Sequence, residues 1–567
     1  MLVILINWLY IGITTFLAGY AILGLFARLF EYKVRHMESY FLAGLAGVTV
    51  YAQVFSLFAG VGMTANILLC IFCVGVAWVC RQSLNGLQKN ILDLFRMQKW
   101  RLTLTVVLVL LMAYGTSRGY MHFDTSLYHA QSIRWIEEYG VVPGLANLQS
   151  RFGYNSASFA LTALYSMKGI FGQSLHTTAG FFSLLSSFFV LELGRIFTEK
   201  KVRLSDFARI GLLFYLSVIF IEMMSPASDY YAMLLLFDIL ILWLEEDEYQ
   251  TEKEICNPTP YGLLCILMVY AVTVKFSVAP LLLLVVKPAV MLIKKKDVRQ
   301  IVTSLLSGLL VAVPFFIRNV VISGWLIYPS TIIDWFAPDW KIPKEQADFD
   351  AAEIGVYGKG MTDATLKDTP FSDWFPAWFE ALKSLEKVFF LMTVAALVLG
   401  AGYAVYVFMR KKKEGYNFSF VFLVFSVSAL FWFLSAPLIR YGYAYVVALP
   451  LVTFGFFFLR FMKKCDKPYK DKLFKVFALA LLLFFATRVK GLCENIVRTY
   501  KQPYYLVQAD YEDGEAVTQE VDGVTFYVPT EMALIGYHKF PSSLLVWPIE
   551  LRGDSIEDGF RQIEEWK

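Results

Sequence analysis

LVILINWLYIGITTFLAGYAILGLF, residues 2–26, is an unbroken apolar run long enough to cross about 30 Å of hydrocarbon as a helix. No basic residue precedes it, and the first positive charges are Arg28, Lys33 and Arg35. A secretory signal peptide would carry its charge in front. The segment therefore reads as a permanent span with its N-terminus outside, because positive residues flanking a span stay on the cytoplasmic side. Comparable runs recur along the chain, which has 567 residues, 57% of them hydrophobic and 17% charged. Its mean hydropathy of +0.55 lies far above that of soluble domains. A net charge of +4 leaves no basic excess that would point to nucleic acid as a partner.

The pattern predicts an all-α polytopic membrane protein of about 14 transmembrane helices, at 2–26, 40–58, 64–80, 102–117, 177–197, 207–222, 229–244, 260–275, 277–292, 298–317, 387–409, 418–436, 442–460 and 473–487. Alternation from an outside N-terminus places Arg81, Lys89, Arg96, Lys99 and Arg101 inside, then Lys200, Lys201 and Arg203, then Lys294, Lys295, Lys296 and Arg299. Arg410 to Lys413, and Arg460, Lys463, Lys464, Lys467, Lys470 and Lys472, fall inside as well, as positive-inside orientation requires. The stretch 245–259 departs from the pattern, with Glu245, Glu246, Asp247 and Glu248 against Lys253 alone. The alternation also requires Ser156 to Phe171 not to cross, so this stretch is expected to be a helix lying in the outer interface or dipping into it.

Residues 1–487 thus form the expected transmembrane domain, with external loops at 118–176 and 318–386. Between 321 and 386 there are eleven acidic and five basic residues, the reverse of the inner loops, together with Trp325, Trp335, Trp340, Trp374 and Trp378. Residues 488–567 carry short β-prone runs such as Gly523 to Pro529 and read as a small C-terminal extracytoplasmic α+β domain. Of the seven cysteines only Cys493 falls outside, which leaves no external pair for a disulfide.

Charged residues at the edge of a membrane are costly and tend to mark functional cavities. By this topology Asp124, Glu222, Asp229, Lys275, Arg318 and Arg440 all sit at or near the outer ends of spans. Asp124, in Tyr120-Met121-His122-Phe123-Asp124-Thr125-Ser126-Leu127-Tyr128-His129-Ala130, reads most simply as a helix N-cap. Helical spacing would place Tyr128, Gln131 and Trp135 on its face, a polar and aromatic stripe suited to carbohydrate. Lys275, Arg318 and Arg440 could each snorkel to the headgroups. Three cations ending spans on the outer side nevertheless run against positive-inside expectation, and a bound phosphate would account for all three. Glu222 and Asp229 bracket a tight turn in which Asp229 caps the next helix. They are weak metal candidates, and a divalent metal is not indicated without a further carboxylate brought in by the fold. Cys70 and Cys73 have CxxC spacing but lie mid-span with no second ligand pair for zinc. Deeper in the spans, Glu192 and Arg195 have i,i+3 spacing and are expected to pair. Asp238 has no partner legible in the sequence.

Taken in order, these residues resemble the glycosyltransferase C superfamily, multi-span enzymes that take sugars from polyprenyl-phosphate carriers outside the bacterial cytoplasmic membrane. The resemblance rests on Phe123-Asp124-Thr125-Ser126-Leu127-Tyr128-His129 in the first large external loop, then Gly140-Val141-Val142-Pro143-Gly144-Leu145-Ala146-Asn147-Leu148 and Arg151-Phe152-Gly153-Tyr154-Asn155-Ser156. It continues through Ser225-Pro226, Lys275-Phe276-Ser277, Ile317-Arg318-Asn319 and Arg440-Tyr441-Gly442-Tyr443. It implies a glycosyltransferase C-like fold in the inner membrane, with Asp124 as general base towards a glycan, lipid or protein acceptor. It further implies that Lys275, Arg318 and Arg440 hold the phosphate, and that Tyr128, His129, Gln131, Arg151, Asn155, Asn319, Tyr441 and Tyr443 bind substrate. Many members of the superfamily carry two neighbouring acids in this loop, whereas here His122 and Phe123 precede a lone Asp124. A transporter or flippase of an anionic lipid-linked glycan would line its pathway with the same cations. A glycan polymerase or ligase of another fold would bind lipid phosphate through Arg without an Asp in the first loop.

Overall fold

The computed structural model describes residues 1–87 and 99–563, and Lys89 and Arg96 of the first expected inner loop lie outside the described residues. Most of the chain is helical. Among the described residues, ten helices are long and apolar enough to cross a membrane, beginning with Leu2–Phe30 and ending with Lys467–Thr499. The number is eleven if Met63–Val79 and Arg81–Leu87, bent by 81° at their junction, make one span. Three further expected spans are helices that do not meet this measure. Leu204–Ile219 and Tyr261–Val274 have only 16 and 14 residues, and Ser228–Lys253 carries Asp229, Asp238 and a run of acids from Glu245. All three are buried along most of their length. A helix that faces protein instead of lipid need be neither uniformly apolar nor long. Asp238 illustrates this, accepting a hydrogen bond from the Ser186 hydroxyl at 2.8 Å within the bundle.

Leu2–Phe30 and Glu38–Ser56 cross at glycines. A Cβ on Gly44 would lie 1.7 Å from the Thr15 carbonyl oxygen, and one on Gly19 would lie 1.7 Å from that of Tyr40. Small residues let the two backbones touch, which is how apolar helices gain contact when lipid offers no hydrophobic drive. Gly44→Val should therefore lower the stability of the detergent-solubilised protein by about 1–3 kcal/mol or block its folding. A variant that melts with the wild type would contradict the crossing.

Two local expectations are corrected. The acids at 245–248 are not in a loop but on the last turns of Ser228–Lys253, and cations of neighbouring segments pair with three of the four. Arg209 pairs with Glu245, Arg35 with Glu246 at 2.5 Å and Lys287 with Asp247 at 2.5 Å. Arg195 pairs with Asp206 and not with Glu192, because a 3-10 turn at Glu192–Gly194 breaks the α-helical spacing between them. Within 156–171, Ala157–Leu164 is a helix of only about 12 Å with every residue buried, and Lys168–Phe171 is a short helix with Ile170 and Phe171 exposed.

Past the expected limit at 487 the last long helix continues to Thr499. Two small antiparallel pairs follow, β1 (Ala516–Val521) with β2 (Val524–Pro529), and β3 (Ile549–Leu551) with β4 (Phe560–Gln562). Asp522 and Gly523, both at positive φ, form the two-residue turn that the right-handed twist of a hairpin favours. Phe526, Ile549 and Phe560 share a core with Trp135, Val142, Phe152 and Trp325, so this C-terminal segment rests directly on the loops at 118–176 and 318–386.

Candidate functional site

Four helix ends meet at one place on the loop-bearing face. Asp124 opens the single π-turn Thr125–His129, and Asp229 lies in the first turn of Ser228–Lys253. Lys275 ends Tyr261–Val274, and Arg440 lies in the first turn of Ile439–Lys464. Asp229 at a helix start and Lys275 at a helix end suit the helix dipole, whereas Arg440 at a helix start opposes it and needs carboxylates nearby. It has two. Its Nη2 donates to Asp124 Oδ2 at 2.7 Å, and its Nε lies 3.1 Å from Asp229 Oδ2. The other Asp229 oxygen accepts from Lys275 Nζ, and that ammonium sits 3.9 Å over the Tyr441 ring. Two cations and two carboxylates thus alternate in one chain, with side chains only 6–19% exposed.

The N-cap reading of Asp124 is not realised: its side chain makes no capping bond, and neither does that of Asp229. Both turn to Arg440 instead, which answers each carboxylate with a full positive charge. His122 joins the cluster, which sequence reasoning missed. Its Nδ1 accepts from the Asp124 backbone N–H at 3.1 Å and lies 3.0 Å from Arg440 Nη1, while its own backbone N–H donates to Ser225 Oγ at 2.6 Å. The only signal in the sequence was the i,i+2 spacing of His122 and Asp124. Burial, then Arg440, lowers the His122 pKa, so the ring is neutral at pH 7. Burial would raise the Asp124 carboxyl, but the charge and hydrogen bond of Arg440 outweigh it and hold it below the usual range.

The other expected site residues separate into distinct groups. Tyr128 stays beside the cluster, its ring 5.8 Å from Tyr154 and 4.3 Å from His129. Burial pushes the His129 imidazole down to about 3, which leaves it a neutral packed ring. Gln131 and Trp135 do not share the Asp124 face, because the π-turn rotates the helix beyond it. Gln131 donates to the Lys539 carbonyl at 2.9 Å, and Trp135 packs on Phe540. Arg318 is not in the cluster. Its helix runs on to Ser323, where Gly324 at φ 78 caps it, so Arg318 is buried more than a turn from the end. There it donates to Ser56 Oγ and to Asn155 Oδ1, while Asn155 donates to Asn319 Oδ1 at 2.9 Å and Asn319 to the Leu326 carbonyl at 2.8 Å. Arg151 pairs with Glu353 at 3.2 Å and Tyr443 donates to Glu386 at 2.7 Å. Glu222 accepts from Tyr230 at 2.6 Å, and among the described residues no group of three His, Cys, Asp or Glu is placed to hold a metal ion.

The geometry brings one carboxylate against one guanidinium, with a second cation a single carboxylate away. Such an array can bind an anion and accept a proton at adjacent points. A family model described as a domain of unknown function, DUF8201, matches residues 1–447, a stretch that contains every member of this cluster. No curated protein and no solved structure matches the chain. Because the family model covers well over half of its length, the chain belongs to the DUF8201 family.

Proposed function

We propose that the protein is a membrane glycosyltransferase of the glycosyltransferase C type, with about fourteen spans, in the bacterial cytoplasmic membrane. It moves a sugar from a polyprenyl-phosphate donor to an acceptor on the extracytoplasmic face. The observation that supports this reading is the 2.7 Å contact between the Asp124 carboxylate and the Arg440 guanidinium at the loop-bearing end of the bundle. Asp124 takes the proton from the acceptor hydroxyl as its oxygen bonds to the anomeric carbon. The bond from that carbon to the donor phosphate breaks, and its electron pair leaves on the phosphate oxygen. Arg440 and Lys275 stabilise the charge that grows there, so their contacts strengthen in the transition state.

At rest Asp229 occupies both cations, and the four side chains sum to zero charge. A donor phosphate therefore enters by exchanging with Asp229. As Arg440 turns to the phosphate, its hold on Asp124 weakens and the carboxylate becomes a stronger base only when donor is present. Asp229→Asn should accordingly tighten binding of polyprenyl phosphate while lowering stability by roughly 2–4 kcal/mol, because the cations lose a partly buried partner. Weaker binding in the variant, measured by ligand-dependent melting, would contradict the exchange.

The reading as a whole is tested with membranes containing the chain and the polyprenyl-phosphate sugar pool of the host. A glycosyltransferase consumes a donor and releases free polyprenyl phosphate. Movement of intact donor between leaflets without consumption would establish a flippase instead.

A further inference from the structure

At the opposite end of the bundle lies a second feature that the transfer reaction does not use. A cavity of about 770 Å³ opens between Ser228–Lys253, Ile439–Lys464 and Lys467–Thr499. At about 1.5 Å per residue, Lys463 is some 35 Å along its helix from Arg440, the thickness of a bilayer core. The two sites therefore address different leaflets.

The cavity is divided chemically. Phe456, Leu459, Met462 and Phe474 line its apolar part, and its rim carries Lys200, Lys463, Lys470 and Lys475. None of these four ammonium groups has a carboxylate within 4 Å among the described residues, whereas the adjacent Lys201 is paired with Glu252 at 2.6 Å. Five acids also line the space; Glu414 and Asp471 have no cation within 4 Å among the described residues, and the other three are engaged. Asp247 accepts from Lys287, Glu252 from Lys201, and Glu248 from the Leu204 backbone N–H and the Ser205 hydroxyl. One wall, Lys467–Thr499, has Leu481 as the one buried residue of its apolar stretch, and a two-residue turn joins it to the preceding helix. Near the lysines this wall touches the bundle through Phe474 and Phe477, which pack against Leu193 and Ile196.

We propose that this cavity holds an anionic phospholipid of the inner leaflet, its phosphate among Lys463, Lys470 and Lys475 and its acyl chains along Phe456, Leu459 and Phe474. Unpaired cations above an apolar slot match a headgroup attached to two chains, and basic pockets between spans at a cytoplasmic surface take lipids of this kind. The bound lipid fills the gap behind the outlying helix, which has few protein contacts of its own.

The full-length protein in detergent is incubated with an equimolar mixture of phosphatidylglycerol and phosphatidylcholine, and retained lipid is read by native mass spectrometry. Phosphatidylglycerol should be retained at about one molecule per chain and phosphatidylcholine at least 10-fold less. The triple variant Lys463→Gln, Lys470→Gln, Lys475→Gln should lose this preference at unchanged gel-filtration behaviour, since its side chains have no carboxylate partner to lose. Lys294→Gln, Lys295→Gln, Lys296→Gln, on the same face but outside the cavity, should keep it. Equal retention of both lipids, or equal loss in the two triple variants, overturns the proposal. Displacement of the lipid by millimolar inorganic phosphate would also overturn it, by showing that the cavity reads phosphate without chains.

Discussion

Asp124→Asn should reduce sugar transfer by 10²–10⁴-fold, the range for loss of a positioned general base, or about 3–5 kcal/mol of transition-state stabilisation. The substitution preserves shape and removes the lone charge that can accept the acceptor proton. It leaves Arg440 with Asp229 as a partner at 3.1 Å, so the cluster keeps a charge pair and the protein should express and melt close to the wild type. Donor binding should survive or tighten, since one negative charge beside the anion site is gone. This combination of lost turnover with retained donor affinity separates a base from a scaffold residue. Retained turnover would remove Asp124 from the mechanism.

The second large effect is expected at Arg440. Its guanidinium reaches Asp124, Asp229 and His122 at once, a spread that the fork of an arginine spans and a single ammonium does not. Arg440→Ala leaves two carboxylates facing one lysine, a loss of roughly 2–4 kcal/mol after discounting for their partial exposure. On the proposed mechanism it also removes a charged hydrogen bond to the donor phosphate worth about 1.5–3 kcal/mol, or roughly 10- to 150-fold in apparent donor affinity. Arg440→Lys should fall between Ala and the wild type, and equal loss in both would make the fork irrelevant. Combining Arg440→Ala with Asp229→Asn should restore much of the stability without restoring donor use. A double variant that recovers both would show that Arg440 acts only through the fold.

The sequence makes this face legible because charge at a span end is confined to one level. Once alternation placed Asp124, Asp229, Lys275 and Arg440 on the same side, the bilayer itself limited how far apart they could lie. It did not fix their lateral positions, and there the reading of single residues failed. Arg318 was placed at a span end, but Asn319 to Ser323 continue the helix as far as a glycine cap and carry Arg318 into a separate amide network. Gln131 and Trp135 were aligned with Asp124 on a 3.6-residue period that the π-turn at Thr125–His129 breaks. The three inner helices show the converse. Leu204–Ile219, Ser228–Lys253 and Tyr261–Val274 are too short or too charged as helices to meet the measure of a span, yet the apolar runs at 207–222, 229–244 and 260–275 are plain in the sequence.

The central claim is that a lipid phosphate binds at Arg440 and Lys275 next to Asp124, and labelling with a photoreactive polyprenyl phosphate tests it most directly. Mass spectrometry of the cross-linked protein should find the label in peptides containing residues 120–131, 225–231, 272–278 or 437–445, with loss of labelling in Arg440→Ala/Asp229→Asn. Labelling confined to the lysine-rich end around 460–475, or unaffected by that double variant, would contradict it.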